Sequence, residues 1–316
     1  MKTGLTLGSA APITFAKPEQ LPSDSQEARQ WQDANRSFWE KHPMRYDWNK
    51  EVGHEPFTVS FYKEIDMRFF SNAHEYMPWR KIPFDALISF DGLKQKNVLE
   101  IGVGSGSHAQ LLATHSGSFT GIDLTRYAVK STSERFRLFD IPGNIFQMDA
   151  EKMSFADSTF DFVWSWGVIH HSADTQKIVC EIFRVLKPGG EATLMVYHRG
   201  WWNYYILHGL LHGIVLGDLF RSWSLSKAVQ NSTDGAIARY YTLASWHSLI
   251  QGAGLKVKNA SVKGQKSDLF PLPQGKLKSS LMRIVPDRFT RFLTNQCRMG
   301  QFLISTIVKP REDVAG

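Results

Sequence analysis

Three carboxylates, Glu100, Asp123 and Asp149, each stand at or near the end of a short apolar run, and the first leads into glycines at 102, 104 and 106. Glycine at every second position suits a backbone that turns sharply beneath a ligand and lets it approach closer than a Cβ would permit. The run Val98 to Ile101 before the glycines and Ala109 to Ala113 after them read as strand, turn and helix, the setting in which nucleotide ligands bind. Asp123 is placed like an acid that chelates ribose hydroxyls, and Asp149, after Met148, like one that accepts from an adenine amino group beside an apolar side chain. A dinucleotide fingerprint would want a further glycine at 107, where this chain has Ser107. His170 and His171 follow a fourth apolar run, and histidine titrates in the range useful to a general base.

The elements that must position these residues alternate strand and helix, the signature of a parallel sheet covered on both faces. Strands are expected over 97–101, 118–122, 144–147, 159–164 and 191–197, with a helix from about Asp174 to Leu186 stopped by Lys187-Pro188-Gly189-Gly190. After 199 the alternation is interrupted. A helix at about 243–253, a strand at 255–262 and a last strand at 301–308 are separated from the rest by insertions over 199–235 and 264–299. Upstream, a helix from Ser25 to about Lys41 carries Trp31 and Phe38 at i, i+7, and a second spans Val59 to Tyr76. The first of these is expected to lie across the main domain.

With 316 residues and 42% hydrophobic content, the chain is long enough for one elaborate folded domain or two small ones. Its formal charge of +7 is compatible with anionic partners without demanding them. Cys180 and Cys297 are too few and too far apart for a disulfide framework or a cysteine-rich zinc site, so a reducing cytoplasm is the simplest expected location. The first eleven residues are too short and polar for a secretory signal and read as a loose arm. No uninterrupted apolar stretch reaches the length of a membrane span.

Over roughly residues 90 to 200 the chain resembles the class I methyltransferases that use S-adenosylmethionine. The resemblance rests on Val98-Leu-Glu-Ile-Gly-Val-Gly-Ser-Gly106, Gly121-Ile-Asp123, Asp149-Ala-Glu151, Phe160-Asp-Phe-Val163 and Leu186-Lys-Pro-Gly-Gly190 in that order. It implies an α/β fold with a Rossmann-like, seven-stranded, mostly parallel sheet and a reversed terminal hairpin. To this core are added helical lid insertions and an N-terminal arm. It implies an arm and packing helices over 1–90 and a cofactor-binding methyltransferase domain over 91–316. It also implies that Glu100 and the Gly102, Gly104, Gly106 backbone hold the methionine portion, with Asp123 and Leu124 on the ribose. Met148, Asp149 and Ala150 would hold the adenine, and Ser165, Trp166 and Gly167 would form the strand edge beside the sulfonium.

A sulfonium methyl is already activated, so the protein must align donor and acceptor and, for a hydroxyl or protonated amine, take up a proton. His170 and His171 are the candidate bases, ahead of Tyr197, His198, Tyr240 and Tyr241. The aromatic, apolar insertions suit a small or lipid-like acceptor, with the methylated atom left open among O, N and C. No metal is expected: His208 and His212 are four apart but lack the acid of an HExxH pattern. Gly209, Gly213 and Gly217 read as a close approach between helices. The aromatic start of that insertion, Arg221, and the basic, apolar second insertion leave a peripheral contact with a membrane surface open.

Nucleic acid is the less favoured partner. Met77-Pro-Trp-Arg-Lys-Ile-Pro-Phe84 is similar to a stretch of the carboxymethyltransferase that modifies the wobble uridine of transfer RNA, which would put Lys81 on a carboxylated donor. The tyrosine of that family after the fourth strand is here His170. A third reading is a binding protein that keeps the cofactor without turnover.

Overall fold

The structure, a computed structural model, describes residues 14–47, 50–215, 217–272 and 275–311. The loose arm expected over the first eleven residues lies outside them.

The sheet is built from β1 (Asn97–Ile101), β2 (Ser118–Asp123), β3 (Asn144–Gln147), β4 (Phe160–Trp166), β5 (Leu186–His198), β6 (Tyr240–Tyr241), β7 (Lys256–Lys263) and β8 (Phe302–Val308). The order β3-β2-β1-β4-β5-β8-β7 forms a seven-strand path, with β6 pairing β5 beside it. The first five strands run parallel to one another, and β8 is antiparallel to both β5 and β7. This is the Rossmann-like sheet with a reversed terminal hairpin that the motif order implied. The two-residue β6 is an addition to it.

β1 is buried on both faces along Val98–Ile101, as expected of a central parallel strand under helices on either side. On one face Val98 packs with Phe119, Phe162 and Trp164; on the other Leu99 and Ile101 pack with Val163, Ile178 and Leu194. The helices are α1 (Ser25–Lys41), α2 (Val59–Tyr76), α3 (Ser107–Ala113), α4 (Arg126–Leu138), α5 (Thr175–Val185), α6 (Gly213–Val215), α7 (Asp218–Ser222), α8 (Leu225–Ser232), α9 (Leu243–Gly252), α10 (Lys276–Ile284) and α11 (Asp287–Arg291). Asp24, Thr58, Thr125 and Asp174 cap α1, α2, α4 and α5 by accepting first-turn amides, which explains where each begins.

Two strand boundaries differ by more than one residue from those read in the sequence. β4 runs on to Trp166, and β5 starts at Leu186 instead of Glu191. The pairing shifts from Phe160–Leu186 to Phe162–Glu191, so Lys187–Gly190 bulge within the strand, with Gly189 at φ +79°. The first insertion opens with a wide π-helical stretch, Trp201–His212. A Cβ on Gly209 would lie 2.7 Å from Leu225, and one on Gly213 3.1 Å from Ala228, so these two glycines admit α8. Gly217 faces no such neighbour and turns the chain at φ +73°.

Candidate active site

The chain leaves β1 through a loop in which Gly102, Gly104 and Gly106 all adopt left-handed backbone, at φ +85°, +55° and +81°. A side chain there would be strained, and at Gly102 it would also collide, its Cβ falling 2.2 Å from Val168. Gly104 is different: a Cβ there would meet nothing within 4 Å, so open space lies against the loop at this point. The Gly104 amide donates to Asp123 at 3.2 Å, and the Thr125 amide and hydroxyl donate to its other oxygen, each at 2.9 Å. From behind, buried Arg135 donates to the Ser105 carbonyl and to Gln110 and pairs with Asp66.

Among the described residues no Lys or Arg pairs directly with Glu100 or Asp123, although the charge of Arg135 favours the ionised form of Glu100 from further away. Glu100 is 1% exposed, its Oε2 has no hydrogen-bond partner, and its Oε1 lies 3.8 Å from His108 Nδ1. Burial raises the Glu100 pKa well above the carboxylate range, and the nearby Asp123 charge adds to that. Burial raises Asp123 as well, against the pull of its Thr125 and Gly104 bonds. His108 is no counter-charge, because burial holds its pKa down to about 3. A buried acid with an orphaned oxygen beside an open glycine loop is a site suited to a cationic ligand.

The remaining expected contacts lie along the same strand ends. Met148 donates its amide to the Asp123 carbonyl, and Leu124 accepts from Gln147. Asp149 Oδ1 accepts from the Glu151 amide, while Met148 and Ala150 pack on the core. Ser165 is buried, with its hydroxyl donated to the Ile101 carbonyl at 3.1 Å. Trp166 stacks on Trp164 with centroids 5.3 Å apart, and Gly167 turns away at φ +73°.

His170 is wholly buried, and neither of its ring nitrogens has a hydrogen-bond partner. Its ring lies 3.9 Å from that of Tyr197, whose hydroxyl donates to Asp234. Burial drives the His170 pKa well below its usual value, and the neighbouring His171 adds to this. His171 has Nδ1 2.6 Å from the Ile237 carbonyl, which fixes that nitrogen as the donor and leaves Nε2 with a lone pair. Its pKa is also lowered by burial. Both rings are therefore free bases at neutral pH. Of the weaker candidates, Tyr240 bonds Thr233 and His198 has Nδ1 on the Gly300 carbonyl. Lys81 is exposed, with its amide on Asp85.

α1 brings residues to this edge that the sequence did not single out. Gln32 donates to Asp149 Oδ1 at 2.9 Å and accepts from the Ala173 amide. Trp39 meets His171 edge-on at 4.9 Å. Glu40 accepts from the Arg126 and Tyr127 amides at the start of α4, and Ser105 donates to the Met44 carbonyl just beyond α1. Buried Trp31 and Phe38 were legible as the apolar stripe of α1; Gln32 and Glu40 look in sequence like any solvated helix face. Arg239 fastens the segment before α1, donating to the carbonyls of Pro18 and Gln20 and, from the other side, to those of Ser172 and Ala173.

Residues 99–194 match the family described as methyltransferase domain. Phthiotriol/phenolphthiotriol dimycocerosates methyltransferase of Mycobacterium tuberculosis is 38% identical over 30% of this chain and 35% of its own length. Phosphoethanolamine N-methyltransferase 2 of Caenorhabditis elegans is 34% identical over 34% of this chain and 25% of its own. The chain thus spans about a third or less of these curated relatives. A solved SAM-dependent methyltransferase from Methanosarcina mazei aligns over 69% of this chain and 94% of its own, at 20% identity and a TM-score of 0.48. By its strand order, its glycine loop and the matched segment, this chain is similar, through residues 99–194, to the class I S-adenosylmethionine-dependent methyltransferases.

Proposed function

We propose that the protein binds S-adenosylmethionine over the glycine loop and transfers its methyl group to a small or lipid-like organic acceptor. The observation that carries this is Glu100: a buried carboxyl with an unpartnered oxygen, beside Asp123, where a Cβ on Gly104 would meet only space. In this reading Glu100 and the backbone of Gly102, Gly104 and Gly106 hold the amino-acid end. Asp123 and Leu124 take the ribose, Met148, Asp149 and Ala150 the adenine, and Ser165, Trp166 and Gly167 border the reacting centre. When bound, the cofactor supplies an electrophilic methyl on sulfur, so the chain's own work is to align, to exclude water and to remove a proton.

His170 or His171 is the proton acceptor in this proposal, since each is held neutral and each has a nitrogen lone pair not fixed by a protein donor. The relatives named for dimycocerosates and for phosphoethanolamine support an organic acceptor of lipid or small-metabolite type. The two insertions and the N-terminal arm would roof its pocket.

Titration calorimetry with S-adenosylmethionine on the wild type and on Asp123→Ala is the first test. Saturable binding by the wild type and none by the variant is expected. If the wild type does not bind, both the enzyme and the binding-protein readings fail. Where binding holds, incubation with lipid extracts, phenols and amino alcohols, followed by mass spectrometry, should show one acceptor gaining a single methyl group.

A further inference from the structure

The two insertions bury Tyr204, Leu207, Val229 and Leu269, yet they also turn many large apolar side chains outward and several polar ones inward. In α10 the one buried residue is Lys278, whereas Leu277 and Ile284, seven residues apart on the helix, are 66% and 75% exposed. The π-helical stretch buries Asn203 and His208 and leaves Trp201, Tyr205 and Leu210 in the open. Val215 and Trp223, on either side of α7, are 80% and 85% exposed, and no residue of α7 is buried. Of the large apolar side chains exposed among the described residues, most lie in these two insertions, although the insertions make up under a quarter of the chain. Isolated exposed leucines are ordinary on a protein surface; concentration in one region is not.

The two insertions are also in contact. Trp201 donates to the Cys297 carbonyl at 3.1 Å and Trp202 to that of Asp268 at 2.9 Å. His212, its pKa lowered by burial, is lowered further by the charge of Lys278. Together residues 199–235 and 264–299 hold ten Lys and Arg against four Asp and no Glu, which is nearly all of the chain's formal +7. Arg221, Lys276, Arg283 and Arg288 are exposed next to the outward apolar residues. Asp268 is buried and Asp287 is paired with Lys266, so two of the four acids add little negative charge to the surface.

From this combination we infer that the face formed by the two insertions docks on an anionic lipid bilayer, with Val215, Trp223, Leu277 and Ile284 seated among the acyl chains and the neighbouring arginines and lysines on the headgroups. Short helices with outward apolar residues and basic flanks lie in the interface plane and do not cross it. No helix among the described residues is long and apolar enough to span a membrane, which fits a surface mode of binding. A second copy of the chain is a poorer occupant, because a two-fold contact would set one strongly basic face against another. The inference concerns where the protein sits and stands whether or not a methyl acceptor is found.

Flotation with phosphatidylcholine vesicles, with and without phosphatidylglycerol, tests it on the full chain. Binding to the anionic vesicles, weakened by added salt and much lower on the neutral ones, is expected. Val215→Ser combined with Trp223→Asn, and separately Arg283→Glu combined with Arg288→Glu, should each cut binding at least about tenfold. All these side chains are solvent-exposed, so melting temperature and S-adenosylmethionine binding should be unchanged and serve as controls for folding. Should a variant fail to fold, the salt and lipid dependence of the wild type still decides. Absence of vesicle binding by the wild type overturns the inference, as does equal binding to neutral vesicles. So does retention on RNA without retention on lipid. Concentration-dependent self-association that the substitutions abolish, with no lipid binding, would assign the face to a second copy instead.

Discussion

His170 illustrates how far one side chain's surroundings can specify its chemistry. It is buried against Tyr197 with no protein partner for either nitrogen, and its depressed pKa keeps it a free base in mild acid. His170→Ala should leave S-adenosylmethionine affinity intact and slow turnover by about 10²–10⁴, and His171→Ala tests the alternative. If neither variant slows turnover, no histidine is the base. An ordinary histidine base would lose half its rate near pH 6.5. Here kcat should hold as pH falls through that value, and a decline centred there would contradict the lowered pKa of both histidines. The glycines separate in a similar way. Gly104→Ala should cost only about 1–2 kcal/mol of backbone strain while filling space the ligand needs, so affinity falls more than stability. Gly102→Ala must displace Val168 as well, and should lose both. Thermal melts beside calorimetry distinguish the two patterns.

Among the elements, α1 does the most that its sequence does not advertise. Its limits, Ser25 and Lys41, can be read from the Trp31 and Phe38 spacing and from Asp24 as an N-cap. Its destination cannot, because Gln32 and Glu40 reach their partners only once the chain has folded back onto the loop after β3 and the start of α4. Glu40 supplies the first-turn amides of α4 with an acceptor and places a negative charge at that helix's N-terminus. Glu40→Ala should therefore cost about 1 kcal/mol in a denaturant titration. The motif-bearing strands were legible because each apolar run ends at a glycine or an acid. The start of β5 is not legible in the sequence, since Pro188 and Gly189 halt a helix and can equally sit in a strand bulge. β6 has only Tyr240 and Tyr241, too short for any periodicity to register, and exists because β5 offers it an edge.

Over the whole molecule, buried titratable groups set opposing pH dependences. His108 and His208 are buried and neutral, each with a pKa near 3. The unfolded chain binds their protons from about pH 6.5 downward, so the stability they contribute is complete above that value and is lost as pH falls toward 3. Asp268 runs the other way, its pKa raised by burial to about 7. Its contribution is complete below its unfolded value and disappears as pH rises through 7. His208→Gln should therefore gain about 2 kcal/mol relative to the wild type between pH 7 and pH 5. Asp268→Asn should gain relative to the wild type as pH rises from 5 to 8. Chemical denaturation at these pH values would show the two opposite slopes, and parallel curves would contradict both assignments.

Arg239 connects this scale to time. Its guanidinium holds the Gln20 carbonyl across 219 residues of sequence, and Phe15 and Trp31 lie beside it. During synthesis the arm from 14 to 24 leaves the ribosome early, yet its anchor is translated only after the first five strands are complete. The segment made early must therefore be seated late, and until then the loops after β3 and β4 that α1 contacts are open. In refolding followed by pulse proteolysis, cleavage within the arm should persist after the sheet is protected, and Arg239→Met should prolong that interval.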